Sequence, residues 1–429
     1  MLSSIRPPLF SHRLLKGWFV FSLAGIFFLY ELFCRASFGS MSMVFAQDLD
    51  LDALTVSSVS SAYFLAYSLM QLPVGVMIDQ YGVKKVGVCS IIITALGTLL
   101  FSISTSVLMA WVARFTIGLG SAFAFAIMFK IILDWFPHQY LGVMGGATQI
   151  LGMVGPILAG APFVLTLVVT NNNWRLIFQG VFGFGCILAL FFFVFVKDKS
   201  KGEKANSPLH VNSLERITVK EKIVMLIKIK QVWFISIFAF FVYPAVEVIG
   251  SMSGVTYLEH FFSQTASAGA VSFVWLGLGL GSLVVGLISD RLGNRKKVLL
   301  ACAFLGVVTS IFLNWLSINS YVVFSILMLF LGVAAGAQTL SFALMIENVP
   351  PMLAGTAVGF NNMFVLLGVW VSQNITGIVL NFFSTNCAGV YGYQVALTVG
   401  CTLFFMLAFI IGSVVIKETN CKRVMASRR

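Results

Sequence analysis

Gly75-Val-Met-Ile-Asp79-Gln-Tyr-Gly82-Val-Lys84-Lys85 returns 211 residues later as Gly286-Leu-Ile-Ser-Asp290-Arg-Leu-Gly293-Asn-Arg295-Lys296. Both stretches follow the pattern Gly-x-x-x-Asp-x-x-Gly-x-basic-basic. Each closes one long apolar run and opens another, so each is expected to form a tight turn at a membrane surface. The second glycine permits positive φ, the basic pair anchors to lipid headgroups, and the Asp is expected to cap the following helix. A general need for short basic turns accounts for the Lys and Arg, but not for the glycines and Asp at matching spacing. A repeat at half-chain offset implies two like halves. A second correspondence agrees with it: Glu347-Asn-Val-Pro-Pro351 follows Asp134-Trp-Phe-Pro137 at an offset of 213.

Composition sets the environment. A chain of 429 residues with 59% hydrophobic residues, 10% charged residues and 42 Phe has too little polar surface to enclose its apolar side chains in a soluble core. A membrane-spanning helix needs about 20 apolar residues, and twelve such runs occur, from about 17–45 to about 392–416. The net charge of +12 would suit nucleic acid, but its distribution argues against that partner. Of the 27 Lys and Arg, 23 fall in alternate connections: three up to Lys16, Lys84 and Lys85, nine from Lys197 to Lys230, four from Arg291 to Lys297, and five after Ile416. The opposite connections carry Asp48, Asp50, Asp52 and Glu259, with Arg175 as the only basic residue. Positive charge marks the cytoplasmic side. The expectation is a multi-pass membrane protein with both termini in the cytoplasm.

The repeated turn resembles the signature between the second and third helices of the major facilitator superfamily, and Arg114-Phe-Thr-Ile-Gly118-Leu-Gly120 resembles its fourth-helix pattern Arg-x-x-x-Gly-x-Gly. The resemblance implies an all-α membrane protein of twelve transmembrane helices in two pseudo-symmetric six-helix bundles. Expected boundaries are a cytoplasmic segment at 1–16, a first bundle at 17–196, a linker with an interfacial helix at 197–230, a second bundle at 231–416 and a basic tail at 417–429. Thr218-x-x-Glu221 reads as a capping box for the interfacial helix. The positive start before residue 17 resembles a signal peptide, but the run is too long and lacks a small-residue cleavage site, so it is read as a retained first helix. Within Gly152-Met-Val-Gly155-Pro156-Ile-Leu-Ala-Gly160, the antiporter signature is incomplete. A narrower resemblance, from Arg114 to Gly155 together with Tyr30-Glu31 and Arg35, is to a bacterial branch near the lysosomal dipeptide transporters and the phagosomal nutrient transporters.

Candidate site residues are polar groups at span depth. Glu31 and Arg35 stand at i and i+4 on one helix face, and ionised groups there must face a cavity or each other. Tyr63, Tyr67 and Gln71 recur at one-turn intervals. Lys130 either snorkels, pairs with Asp134, or faces the cavity. Glu247 follows about fifteen apolar residues with no basic residue within a turn, so it is either protonated or paired across helices. Gln149, Gln338 and Asn361 are further candidates for substrate contact, although amides such as Asn361, Asn362, Gln373 and Asn374 also glue helices together. In the superfamily that the chain resembles, helices one, four, seven and ten line the cavity, which puts Glu31, Arg35, Arg114, Lys130 and Glu247 along or beside it. The substrate-binding set is Arg35, Glu31, Lys130, Glu247, Tyr63, Tyr67, Gln149, Gln338 and Asn361, with Glu31 and Glu247 as candidate proton carriers. The gating set is Gly75, Asp79, Gly82, Lys84, Lys85, Arg114, Gly286, Asp290, Gly293 and Arg295.

Fixed charges of both signs suit a zwitterion or an organic anion better than a neutral sugar or lipophilic drug. The expected function is secondary transport of an amino acid, small peptide or organic anion by alternating access, with protons as the candidate coupling ion. Siderophores, nucleosides and drugs are alternative cargoes. A polytopic enzyme is disfavoured because His12, His138, His210 and His260 are isolated in sequence, and a channel would need a continuous pore. No catalytic residue, cofactor or metal site is expected: the seven cysteines (34, 89, 186, 302, 387, 401 and 421) have no ligand spacing, and there is no nucleotide-binding loop. The expected partners are membrane lipid and a small-molecule substrate, with a monomer as the expected state.

Overall fold

The computed structural model describes residues 12–136, 141–197, 219–316, 320–386 and 389–422. Twelve helices among them are long and apolar enough to cross a membrane: α1 (Lys16–Leu49), α2 (Ala53–Tyr81), α3 (Val83–Ser102), α4 (Val107–Trp135), α5 (Ile150–Val169), α6 (Trp174–Phe195), α7 (Lys230–Leu258), α8 (Gln264–Leu292), α9 (Arg295–Trp315), α10 (Tyr321–Glu347), α11 (Pro351–Phe383) and α12 (Val390–Val414). Between α6 and α7, a short helix at Val219–Ile227 carries the Lys-rich stretch and buries Leu226, and Trp233 Nε1 donates to its Ile227 carbonyl at 2.8 Å. Thr218, the expected cap of that helix, lies outside the described residues, as do Pro137, His138, His210 and Cys387.

Pseudo-symmetry extends beyond the turns into helix packing. A Cβ on Gly118 of α4 would stand 2.2 Å from the Tyr63 carbonyl of α2, and one on Gly332 of α10 would stand 2.1 Å from the Val274 carbonyl of α8. Tyr63 and Val274 are themselves 211 positions apart, the offset of the repeated turn. Only glycine lets these backbones touch. Both α4 and α10 are also interrupted at equivalent places, after Ser121 and after Ala335.

The turns behave as expected at their second glycines, with Gly82 at φ 86° and Gly293 at φ 59°. The expected capping role of the two Asp residues is corrected. Asp79 and Asp290 lie within the last turns of α2 and α8, too far back to reach the N–H groups that open the next helix. Gly82 precedes α3 without a side-chain cap, while Asn294 caps α9 by accepting from Lys297 N at 2.8 Å. Asp79 instead accepts from Lys130 Nζ at 3.1 Å, and Asp290 from Arg295 Nη1 at 2.5 Å. A Cβ at Gly75 or Gly286 would meet nothing within 4 Å, so packing in this conformation does not require either glycine.

At the end with Asp48 and Asp52, Asp52 caps α2 through Thr55 N at 2.9 Å. Arg175, over the Trp174 ring, pairs with Asp48 and donates to the Ser104 carbonyl at 3.0 Å. The halves meet along α2 with α11, α5 with α8 and α1 with α7. The backbones of α1 and α7 approach closely toward this acidic end, where a Cβ on Gly39 would stand 2.8 Å from the Ser251 carbonyl carbon. Gln264 Nε2 of α8 donates to the Ser40 carbonyl of α1 at 3.4 Å on the same side.

Candidate functional site

The middle of α1 turns Glu31 and Arg35 toward the junction of the halves, and both side chains are buried. Arg35 Nη2 donates to Glu31 Oε1 at 2.5 Å, and Arg35 Nη1 donates to Glu247 Oε1 of α7 at 3.2 Å. One guanidinium therefore holds a carboxylate from each half. Its planar fork suits this task better than an ammonium would. Tyr63 of α2 donates to Glu31 Oε1 at 2.8 Å, and Tyr243 of α7 donates to Glu247 Oε1 at 2.8 Å. The rings of Tyr63 and Tyr67 lie 5.5 and 5.1 Å from the Arg35 guanidinium carbon. Buried charge is tolerated here because each ion has an opposite charge and further donors or aromatic faces around it.

Local sequence explains why α7 can present Glu247. Pro244 ends the first α-helical stretch at Val242, and after Val248 the chain makes a π turn over Ile249–Ser253. Such turns free main-chain groups from the regular ladder and recur at functional sites. The Glu247 main-chain oxygen accepts from Ser251 Oγ at 2.7 Å and from Gln373 Nε2 of α11 at 3.2 Å. Ser251 Oγ is also 2.7 Å from Glu247 Oε2.

Arg114 of α4 is fully buried beside this cluster and pairs with no carboxylate among the described residues. Its Nη1 donates to the Cys34 carbonyl at 2.8 Å and its Nη2 to the Ser60 carbonyl at 3.5 Å, while the Phe38 and Tyr63 rings each lie 5.1 Å away. The Nε atoms of Arg35 and Arg114, Glu31 Oε2 and Gln373 Oε1 are buried without a hydrogen-bond partner among the described residues.

The remaining candidates are more dispersed. Lys130 is half-exposed and bound to Asp79, so its partner is the repeated turn rather than Asp134. Asn361 is buried and donates to Ser341 Oγ at 2.8 Å, joining α11 to α10. Gln338 is half-buried on α10. Gln149 lies on the helix Leu141–Ala159 that runs into α5, and its side chain is outside the described set. Lys84 stands over the Phe193 ring at 4.6 Å, and Lys85 is exposed. Arg295 meets both Asp290 and Glu347, the latter at 3.1 Å. Two side chains joined to the cluster, Ser251 and Tyr243, were not among the sequence candidates. Ser251 stands at i+4 from Glu247, the same spacing that drew attention to Glu31 and Arg35. A cavity of about 270 Å³ lies between α1 and α6, lined by Leu29, Tyr30, Phe33, Ile177, Val181 and Phe184 among others. It is apolar and on the opposite face of α1 from the ion pairs, so it does not extend the charged cluster.

Comparison with known proteins agrees with this architecture. The chain is 30% identical to the uncharacterized transporter YybO of Bacillus subtilis over 201 residues, covering 46% of this chain and 45% of that protein. The chain thus aligns with less than half the length of that relative. It is 24% identical to the probable galactarate/D-glucarate transporter GudP of Escherichia coli, covering 80% of this chain and 81% of the relative. Among solved structures, a bacterial homolog of the human lysosomal transporter Spinster, inward-facing and unoccupied, superimposes with a TM-score of 0.75 at 16% identity, covering 96% of this chain and 98% of the other. Residues 23–373 match the Major Facilitator Superfamily model, and with twelve spans and a repeated turn in each half, the chain belongs to that superfamily.

Proposed function

We propose that this protein is a secondary transporter rather than an enzyme or channel, and that it moves an amino acid, small peptide or organic anion by alternating access through the Glu31–Arg35–Glu247 cluster. The observation carrying this reading is that Arg35 binds an acid from each half, Glu31 at 2.5 Å and Glu247 at 3.2 Å. A substrate carboxylate competes for the Arg35 fork and releases one of those acids. The released acid then takes either a substrate ammonium group or a proton. Because the contested bond to Glu247 crosses the α1–α7 junction, substrate binding and separation of the halves act on the same atoms. Pseudo-symmetric bundles rocking about a mid-span site are the usual means of exposing it to each side in turn.

The buried Arg114, lacking a carboxylate partner among the described residues, supports an anionic group on the cargo, as does similarity to a protein named as a galactarate/D-glucarate transporter. The paired acids and the narrower resemblance to dipeptide and nutrient transporters support a cationic group as well. Tyr67, Lys130, Gln149, Gln338 and Asn361 complete the proposed substrate path, and the Asp79 and Asp290 turns the gates. The positive-inside distribution supports both termini in the cytoplasm of a bacterial cell. The bundle boundaries proposed are 17–196 and 231–416, with a monomer in lipid as the working unit.

The test is uptake by the purified protein in proteoliposomes, with and without an inward proton gradient, using amino acids, dipeptides and sugar diacids in parallel. Saturable uptake of one of these classes is expected, stimulated by the gradient. Rapid non-saturating flux, or no uptake of any class, would overturn the reading.

A further inference from the structure

We propose that Glu247, rather than Glu31, is the protonation site of the transport cycle, with Ser251 and Gln373 as positioning residues that let it gain and lose a proton without stranding a buried hydrogen-bond partner. This deepens the proposed function, which leaves both acids as candidates. The argument rests on hydrogen-bond bookkeeping among buried groups, where an unmatched donor or acceptor is costly.

Around Glu31, protonation has no good place to go. Its Oε1 already accepts from Arg35 at 2.5 Å and Tyr63 at 2.8 Å, and its Oε2 has no partner among the described residues. A proton on Oε1 would expel one of those donors, and a proton on Oε2 would point at no acceptor.

Glu247 is built differently. Its Oε1 takes Arg35 and Tyr243, which leaves Oε2 facing one group, the Ser251 hydroxyl at 2.7 Å. A serine hydroxyl has one hydrogen and two lone pairs, so it can serve as donor or acceptor. With Glu247 ionised, the Ser251 hydrogen goes to Oε2, and Gln373 Nε2 supplies the Glu247 main-chain oxygen at 3.2 Å. When a hydronium ion gives its proton to Oε2 and leaves as water, the new O–H donates to Ser251 Oγ. The Ser251 hydrogen then turns to the main-chain oxygen, also 2.7 Å away. One O–H bond of the hydronium breaks as the carboxyl O–H forms, no covalent bond of Ser251 changes, and Ser251 remains satisfied in both states. Gln373 Nε2 lies 3.4 Å from Ser251 Oγ as well, so α11 is in contact with the group that reverses.

The charged and titratable neighbours fit this assignment. Facing Glu247 from α1 are Arg35 and Glu31, from α2 Tyr63 and Tyr67, from α4 Arg114, and on α7 itself Tyr243. Of the other helices packed on this stretch, α11 carries no charged or titratable side chain, α8 and α10 carry charge only at their ends, and α12 contributes Cys401 as its buried titratable group. Arg35 is the cation whose withdrawal by a substrate carboxylate would promote protonation of Glu247.

The test needs no substrate. Infrared difference spectra of the full-length protein in lipid are recorded across pH steps, using protons alone as the probe. A carbonyl band from a protonated buried carboxyl is expected in the parent, absent in Glu247→Gln and retained in Glu31→Gln. Ser251→Ala removes a hydrogen bond from both forms of the acid, the stronger one from the ionised form, so the same band should appear at higher pH and at a higher stretching frequency. That smaller change remains informative where Glu247→Gln folds poorly. A band lost in Glu31→Gln but kept in Glu247→Gln, no titrating band in the parent, or an unshifted band in Ser251→Ala would each overturn the proposal. Failure to find a transported amino acid or anion would instead overturn the cargo reading and leave this spectrum unchanged.

Discussion

Arg35 of α1 and Glu247 of α7 stand 212 positions apart in sequence and 3.2 Å apart in space, joining the two halves at mid-span through Nη1 and Oε1. Substituting Arg35→Ala would leave Glu31 and Glu247 buried together without the cation between them. Breaking a buried pair on one side costs about 3–5 kcal/mol. A lower thermal unfolding temperature and loss of uptake are therefore expected together. Arg35→Lys should recover much of the stability but only part of the transport, because a single ammonium cannot reproduce a fork that serves two acids. Parental uptake by a folded Arg35→Ala variant would remove Arg35 from the substrate path.

Sequence revealed the Glu31–Arg35 pair and singled out Glu247 as an acid either protonated or paired across helices, but it concealed which residue is the partner of Glu247, for a physical reason. Glu31 and Arg35 share a helix, so their i,i+4 spacing discloses the pair directly. The partner of Glu247 comes from the opposite half, and no local periodicity encodes an approach across 212 residues. Lys130 follows the same rule: Asp134 was the visible neighbour at i+4, but Asp79, 51 positions away, is the partner. The π turn that orients Ser251 leaves no compositional mark on an otherwise apolar run. By contrast, the repeated Gly-Asp-Gly pattern fixed twofold architecture because tight turns restrict backbone conformation. Even there the Asp residues close one helix rather than open the next, a difference of a single turn.

Gly39 tests how the acidic end closes. Its α carbon lies so near the Ser251–Met252 backbone that any side chain would force α1 and α7 apart. Gly39→Val should increase labelling, from that side, of a cysteine introduced at Ser60, whose Oγ lies 3.4 Å from the Ser251 carbonyl. Unchanged labelling in a folded variant would show that closure does not depend on this contact.

The two repeated turns should respond unequally to loss of their acids. Lys130 meets Asp79 at 3.1 Å in an exposed setting, whereas Arg295 retains Glu347 when Asp290 is removed. Asp79→Asn is expected to shift the balance of labelling between the two ends, with a stability change of no more than about 1 kcal/mol. Asp290→Asn should shift that balance less. Equal shifts would argue that the acids act through something other than these ion pairs.

The chain beyond α12 is expected to stabilise the second half. Glu418 accepts from Arg295 N at 3.1 Å and Lys296 N at 2.6 Å, placing a carboxylate at the start of α9, where unpaired N–H groups favour negative charge. The next residue extends the connection, with Thr419 Oγ1 donating to Glu347 Oε2 at 2.5 Å. In the first half, Asp134 is the counterpart of Glu347 and makes no hydrogen bond or ion pair among the described residues. Glu418→Ala should therefore lower stability by about 1–2 kcal/mol, the usual range for a lost helix cap, and increase amide exchange at the start of α9. Glu418→Gln keeps an acceptor but removes the charge, so it should lose roughly half as much. Added salt should narrow the gap between the parent and Glu418→Gln without rescuing Glu418→Ala, because salt screens the charge and cannot replace the acceptor. If exchange at α9 matches the parent in both variants, the terminal segment lies against the turn without supporting it.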